Sequence, residues 1–230
     1  MDKSPTQGDG TVADVRQEGN DMRIKEQVQG IDLVLTTNDE VFSPAAVDRG
    51  TKAMLSFVSF STEDKVLDLG CGCGVVGILA AKQIGADRVV MCDISETAVS
   101  LSRQNAEENG VGNVTIRVSD GLKEISETGF TLILSNPPYH TDFAVAKGFI
   151  EDGFKKLALG GKMVMVTKRL DWYRNKLSSI FGGVTVKEKD GYYVFLAEKR
   201  KEKKPKKEKK NEQVMSKKLQ RKYGNRKKVQ

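Results

Sequence analysis

Between Lys65 and Lys199 the apolar positions fall into short runs and longer, 3.6-spaced stretches that alternate. Runs rich in β-favouring residues at 65–69, 88–92, 113–118, 130–135 and 162–167 read as buried strands. Between or after them, 75–84, 95–109, 142–158 and 170–180 read as helices, with a shorter helical turn at 121–126. Val184 to Glu188 and Tyr192 to Ala197, joined across Lys189-Asp190-Gly191, predict a closing hairpin on an Asp-Gly turn. Strand, helix, strand in this order is the period of a doubly wound α/β domain. It predicts a mostly parallel, seven-stranded sheet with an antiparallel edge hairpin.

Upstream, Ile31, Leu33 and Leu35 alternate with polar residues, and Thr37-Asn38-Asp39 precedes Val41-Phe42, which predicts a β-hairpin over the edge of the core. Ser43-Pro44 offers an N-cap and first-turn pair for a helix running to about Phe60, although Gly50 moves its start toward Asp48. Residues 1–29 are polar with little periodicity and read as a flexible leader. The domain then spans 30–197, and 198–230 is a lysine-rich tail predicted to be disordered. Within that tail Met215, Leu219 and Tyr223 recur every four residues, enough for a short amphipathic helix on a partner.

Charge sharpens this division. The 230 residues carry a formal net charge of +7, but from Glu198 onward there are 16 Lys+Arg against 4 Asp+Glu, leaving 22 against 27 in the rest. A slightly acidic body carrying a basic arm suits a polyanion partner. Cys71, Cys73 and Cys92 sit in strand and glycine-loop patterns, which argues against a disulfide framework, and with one distant histidine they do not make a zinc site. No stretch approaches a membrane span and the amino terminus has no apolar signal region, so the expected compartment is the cytoplasm, with no membrane partner.

The candidate chemistry lies where the predicted strands end. Val66-Leu67-Asp68-Leu69-Gly70-Cys71-Gly72-Cys73-Gly74 closes the first strand of the domain and opens a helix. Its glycines let the backbone approach a ligand, and Gly72, Gly74 and Gly77 also fit the G-x-G-x-x-G of a dinucleotide site. Asp68 tips the reading toward a ligand with a cationic amino acid part. Asp93, followed by Ile94, ends the second strand at the distance from which an acid accepts from ribose hydroxyls. Asp120, followed by Gly121, ends the third and is an acceptor for an adenine amino group. Each aspartate alone is commonly a cap or turn residue. Together with Asn136 they converge on the edge where open α/β sheets bind ligands.

Ser135-Asn136-Pro137-Pro138-Tyr139-His140 follows the apolar run Thr131 to Leu134. Proline fixes φ and disfavours the helical region for the residue before it, so Asn136 and Pro137 are held extended at the strand end. Taken alone, the hexapeptide also reads as simple strand punctuation. Its functional reading is a site of an amide, a backbone carbonyl, the Tyr139 ring and the sole histidine, His140, which suits a planar NH2 group on a ring.

These motifs, in this order and spacing, resemble the class I methyltransferases that use S-adenosylmethionine, with a Rossmann-like fold, over residues 30 to 197. The resemblance implies that Asp68 and the loop Gly70, Cys71, Gly72 and Gly74 hold the methionine part, Asp93 the ribose and Asp120 the adenine. Asn136-Pro137-Pro138-Tyr139 resembles the branch that methylates adenine N6, guanine N2 or a glutamine amide. Val41-Phe42-Ser43, Val47-Asp48-Arg49-Gly50-Thr51 and the Pro-Tyr-His ending are similar to the small-subunit ribosomal RNA guanine-N2 methyltransferases, whose longer members carry a duplicated amino-terminal domain that is lacking here. RNA is then the expected partner, through the cleft and the tail. In this reading Asn136 and the Pro137 carbonyl accept the amine hydrogens, and His140 acts by position rather than as an essential base. A protein glutamine methyltransferase, a nicotinamide oxidoreductase and a noncatalytic RNA-binding module are the competing readings.

Overall fold

The computed structural model describes residues 12–14, 21–39, 41, 46–138 and 143–200. Its first elements are three strands, β1 (Val12–Asp14), β2 (Met22–Val28) and β3 (Ile31–Thr37), in an antiparallel sheet of order β1-β2-β3. Helix α1 (Arg49–Leu55) follows, then β4 (Val66–Leu69), α2 (Val75–Ile84), β5 (Val89–Asp93), α3 (Glu96–Glu108), β6 (Thr115–Val118) and β7 (Phe130–Ser135). The chain continues through α4 (Phe143–Lys156), β8 (Leu157–Thr167), α5 (Leu170–Phe181), β9 (Thr185–Lys189) and β10 (Tyr192–Glu198).

The main sheet has seven strands in the order β6-β5-β4-β7-β8-β10-β9, as expected. Strands β4 to β8 run parallel, while β10 and β9 add antiparallel. The turn between β9 and β10 places Asp190 and Gly191 at φ 53° and 77°, the primed-turn geometry that an Asp-Gly pair favours. All four residues of β4 are buried, because helices cover both faces of the sheet. One core layer lies beneath α1, α2, α3 and the small sheet, and the other beneath α4 and α5. The strand order reverses between β4 and β7, and such a switch point opens a crevice at the carboxyl ends of the strands.

Four expectations change. Strand β3 pairs with β2 upstream, through a turn at Gln29 and Gly30 with φ 52° and 77°, and Val41 is not in a strand, so part of the stretch read as leader is ordered sheet. The alternation in β2 was hidden because its middle inward position is Glu26, which is buried and paired with Lys52 at 3.0 Å. Helix α1 begins at Arg49 with Asp48 as its cap and ends at Leu55; Phe42, Ser43 and Pro44 lie outside the described residues. Residues 121–124 form turns rather than a helix, with the Ser119 hydroxyl accepting from Glu124 N at 3.2 Å. Finally, β8 starts directly after α4 and carries an irregularity before rejoining β7 in register.

The small sheet does not float. Its β3 edge would expose unpaired backbone groups, and α3 covers it with two asparagines one turn apart. Asn105 Nδ2 donates to Thr36 O at 2.8 Å while its Oδ1 accepts from Thr36 N at 2.6 Å. Asn109 repeats the exchange with Val34, at 2.6 and 3.1 Å. Each side-chain amide thus pairs with the strand as another backbone would.

Candidate active site

A cavity of about 380 Å³ opens at the carboxyl ends of the parallel strands, within the size range of small-molecule sites. Asp68, Gly70, Cys71, Gly72, Asp93, Ile94, Asp120, Gly121, Asn136, Pro137 and Pro138 all contribute to its wall. Tyr139 and His140 lie outside the described residues. Gly74 does not line the cavity. It caps α2 at φ 95°, and a Cβ there would stand 2.9 Å from Ile78 Cδ1, so its glycine serves the turn into the helix. Gly77 brings α2 against the sheet, since a Cβ would fall 2.4 Å from Met91 Cγ.

The glycine loop is tied down by its own amides. Gly70 N and Cys71 N both donate to Cys92 O, at 2.8 and 3.0 Å, and Gly74 N donates to Cys71 O at 2.9 Å. Gly72 N donates to Asp93 Oδ2 at 3.0 Å, and Gly77 N to Asp68 Oδ2 at 2.8 Å. These five amides are therefore engaged inside the protein. The charged side chains on the described wall are Asp48, Asp68, Asp93 and Asp120, with no lysine, arginine or histidine among them. A wall of acids without a basic side chain suits a cation better than a pyrophosphate, which weighs against the dinucleotide reading.

The aspartates keep their bland roles as well as offering themselves to a ligand. Asp93 Oδ1 accepts from Ser95 N at 3.0 Å, an Asx turn, yet two engaged oxygens still leave a carboxylate acceptor capacity for ribose hydroxyls. Asp68 is 3% exposed, and burial pushes its carboxyl up to about 7, against the lowering effect of the Gly77 amide, with the Asp93 charge raising it further. Asp120 stands at the rim in an ion pair with Lys123. Burial pushes the thiols of Cys71, Cys73 and Cys92 up, the last two to about 11 and about 12, so they are inert packing groups. No cluster of metal-ligating side chains occurs among the described residues.

Asn136 completes the wall at the end of β7. Its Nδ2 donates to Asp48 Oδ2 at 2.8 Å and to Thr51 Oγ1 at 3.0 Å. Its Oδ1 is buried with no hydrogen-bond partner among the described residues. A buried acceptor without a partner is costly unless a ligand completes it. This set of acceptors thus fits a cationic ligand beside a group that brings N–H hydrogens.

The Methyltransferase small domain family matches residues 32–197. The chain belongs to this family. Within it, the chain is 34% identical over 174 residues to the uncharacterized protein YbxB of Bacillus subtilis (strain 168), covering 73% of this chain and 87% of that protein. It is 34% identical over 166 residues to ribosomal RNA small subunit methyltransferase C of Cronobacter sakazakii, covering 70% of this chain and 48% of that one. The chain therefore spans about half the length of the curated small subunit enzyme it matches. Among solved structures, a T. thermophilus 16S rRNA N2 methyltransferase in complex with AdoMet and guanosine shares the fold, with a TM-score of 0.67 and 21% identity over 83% of this chain and 58% of that chain.

Asp48 and Thr51 stand out in the sequence only as part of the stretch Val47 to Thr51 that carries the resemblance. Nothing local marks them as partners of Asn136, which lies 88 residues from Asp48.

Proposed function

We propose that this chain transfers a methyl group from S-adenosylmethionine to an exocyclic amine of an RNA base, namely guanine N2 of ribosomal RNA. The observation that carries the reading is the buried Asn136 Oδ1 at the cavity wall, an acceptor with no partner among the described residues. Similarity to ribosomal RNA methyltransferases, and to a structure holding AdoMet and guanosine, supports the choice of cofactor and base.

S-adenosylmethionine supplies a methyl group on a positively charged sulfur. The wall acids Asp68 and Asp93 suit its amino acid part and its ribose, and Asp120 at the rim suits the adenine. An exocyclic amine is a poor nucleophile because its lone pair is delocalised into the ring. Asn136 Oδ1 and the Pro137 carbonyl accept its two hydrogens, draw the nitrogen toward a tetrahedral shape and aim its lone pair along the transfer axis. Orientation of this kind supplies about 7–11 kcal/mol when the groups are near attack geometry. No strong base is required before transfer, and the released proton passes to water, with His140 acting by position. A base that enters such a cavity is unpaired or flipped out, so the target lies in a loop or a single strand. The lysine-rich tail holds the RNA electrostatically, and the cytoplasm is the matching compartment.

The test is methyl transfer from labelled S-adenosylmethionine to total RNA and total protein of unmodified cells, followed by digestion. Label in N2-methylguanosine is the expected result. Label in N6-methyladenosine or methylglutamine overturns the base, and no label in any product overturns the activity. Within that assay Asn136→Ala lowers kcat by about 100-fold while the cofactor Kd changes by less than about twofold.

A further inference from the structure

The Asn136 amide is held from outside the strand that carries it. Both hydrogens of Nδ2 are used, one by Asp48 Oδ2 and one by Thr51 Oγ1. The same Asp48 oxygen accepts from Thr51 N at 2.9 Å, so a single carboxylate oxygen caps α1 and holds the amide. An ionised carboxylate offers only acceptors, so the amide nitrogen has to face α1. Turned over, Oδ1 would meet a carboxylate oxygen at hydrogen-bond distance and the bond to Asp48 would be lost, leaving only the Thr51 hydroxyl to donate to it, so Asp48 sets the orientation and Thr51 supports it. Gly50 makes the arrangement possible. A Cβ there would lie 2.8 Å from Asp48 Oδ2 and 2.8 Å from Tyr192 Cε1.

We infer that Asp48 and Thr51 are positioning residues that lock Asn136 as a pure acceptor, and that this lock selects an NH2 group over a carbonyl oxygen at the reacting edge of the base. The inference rests on the role proposed above for Asn136. An unrestrained asparagine presents a donor or an acceptor by rotating its amide, and so accommodates either an amine or a carbonyl. A locked one presents only the acceptor. A base carbonyl then meets an oxygen, with nothing to bond and its hydration lost.

The experiment pairs Asp48→Ser with Thr51→Val. Serine keeps a cap for α1 but is one atom too short to serve Asn136 as well, and valine removes the hydroxyl acceptor at similar volume. In the labelled full-length protein, the side-chain NH2 resonances of Asn136 are identified by their loss in Asn136→Ala. They are expected to exchange slowly with solvent in the native chain and quickly in the double variant. Fast exchange in the native chain overturns the lock, whatever the substrate. In the transfer assay the double variant is expected to lose about tenfold in kcat with cofactor Kd changed by less than about twofold, Asp48→Asn keeping most of the rate because its amide oxygen still accepts. In an Asn136→Ala background the same pair should cost nothing further. A full additional loss there overturns positioning while leaving Asn136 in its role. Wild-type turnover by Asn136→Ala overturns that role, and the lock with it.

Discussion

Asp68 carries its proton into the fold. Its carboxyl, ordinarily ionised above about pH 4, is pushed up to about 7 by burial. The folded state therefore binds a proton that the unfolded chain releases. Through this group, stability falls as pH rises between about 4 and about 7, and is level above that. A cationic ligand reverses the preference, because it favours the ionised carboxylate. Two results are expected. S-adenosylmethionine releases a proton on binding at about pH 6.5, read by calorimetry in buffers of different ionisation enthalpy, and its affinity weakens by up to about tenfold per unit as pH falls below about 7. Asp68→Asn removes most of both effects. Affinity that is level across this range would mean that Asp68 does not meet the cationic part of the ligand. The site was readable at this scale because Asp68, Asp93, Asp120 and Asn136 each stand at a strand end, a place that hydrophobic runs mark in the sequence.

At the scale of elements, the two asparagines of α3 join the small sheet to the domain. Asn105 bears the greater load, since its Nδ2 also donates to Cys73 O in the glycine loop at 2.8 Å and the residue is fully buried. Asn105→Ala leaves Thr36 N, Thr36 O and Cys73 O without their bonds. The expected loss in chemical denaturation is about 3 kcal/mol, with a weaker hold on cofactor because the loop is freed. Asn109→Ala, at a half-buried position, costs about 1 kcal/mol. Equal losses would show that the link to the loop adds nothing. None of this was visible beforehand. An asparagine inside a helix pattern carries no signal of the strand edge it pairs with, and Glu26 at an inward position of β2 hid the strand that completes the sheet.

At the scale of the whole molecule, charge divides the chain near Glu198. Lys199 belongs to the domain, buried with its Nζ donating to Leu157 O at 2.8 Å and its backbone paired with Gly160 and Gly161. A truncation that preserves the fold therefore removes 201–230, not 198–230. If the tail grips RNA, affinity falls with salt at a logarithmic slope of about −0.7 per phosphate neutralised on a single strand, and this truncation flattens it. An unchanged slope would show that the lysines of the tail make no contact with RNA. No helix among the described residues is long and apolar enough to cross a membrane.

The alternation of strands and helices from β4 onward, the closing hairpin and the strand-end residues Asp68, Asp93, Asp120 and Asn136 of the cavity wall followed from the sequence by itself. Each depends on local physics: the period of burial, the φ freedom of glycine, the stiffness of two prolines after Asn136. Only the tertiary structure decided that Gly74 caps a helix away from the cavity wall, that the amides of Gly70, Cys71 and Gly72 are engaged within the protein, and that Asp48 and Thr51 hold Asn136 by its nitrogen. Those outcomes depend on which distant groups the packed sheet brings within hydrogen-bond distance. A one-dimensional pattern records what each residue offers, and the fold determines which partner takes it.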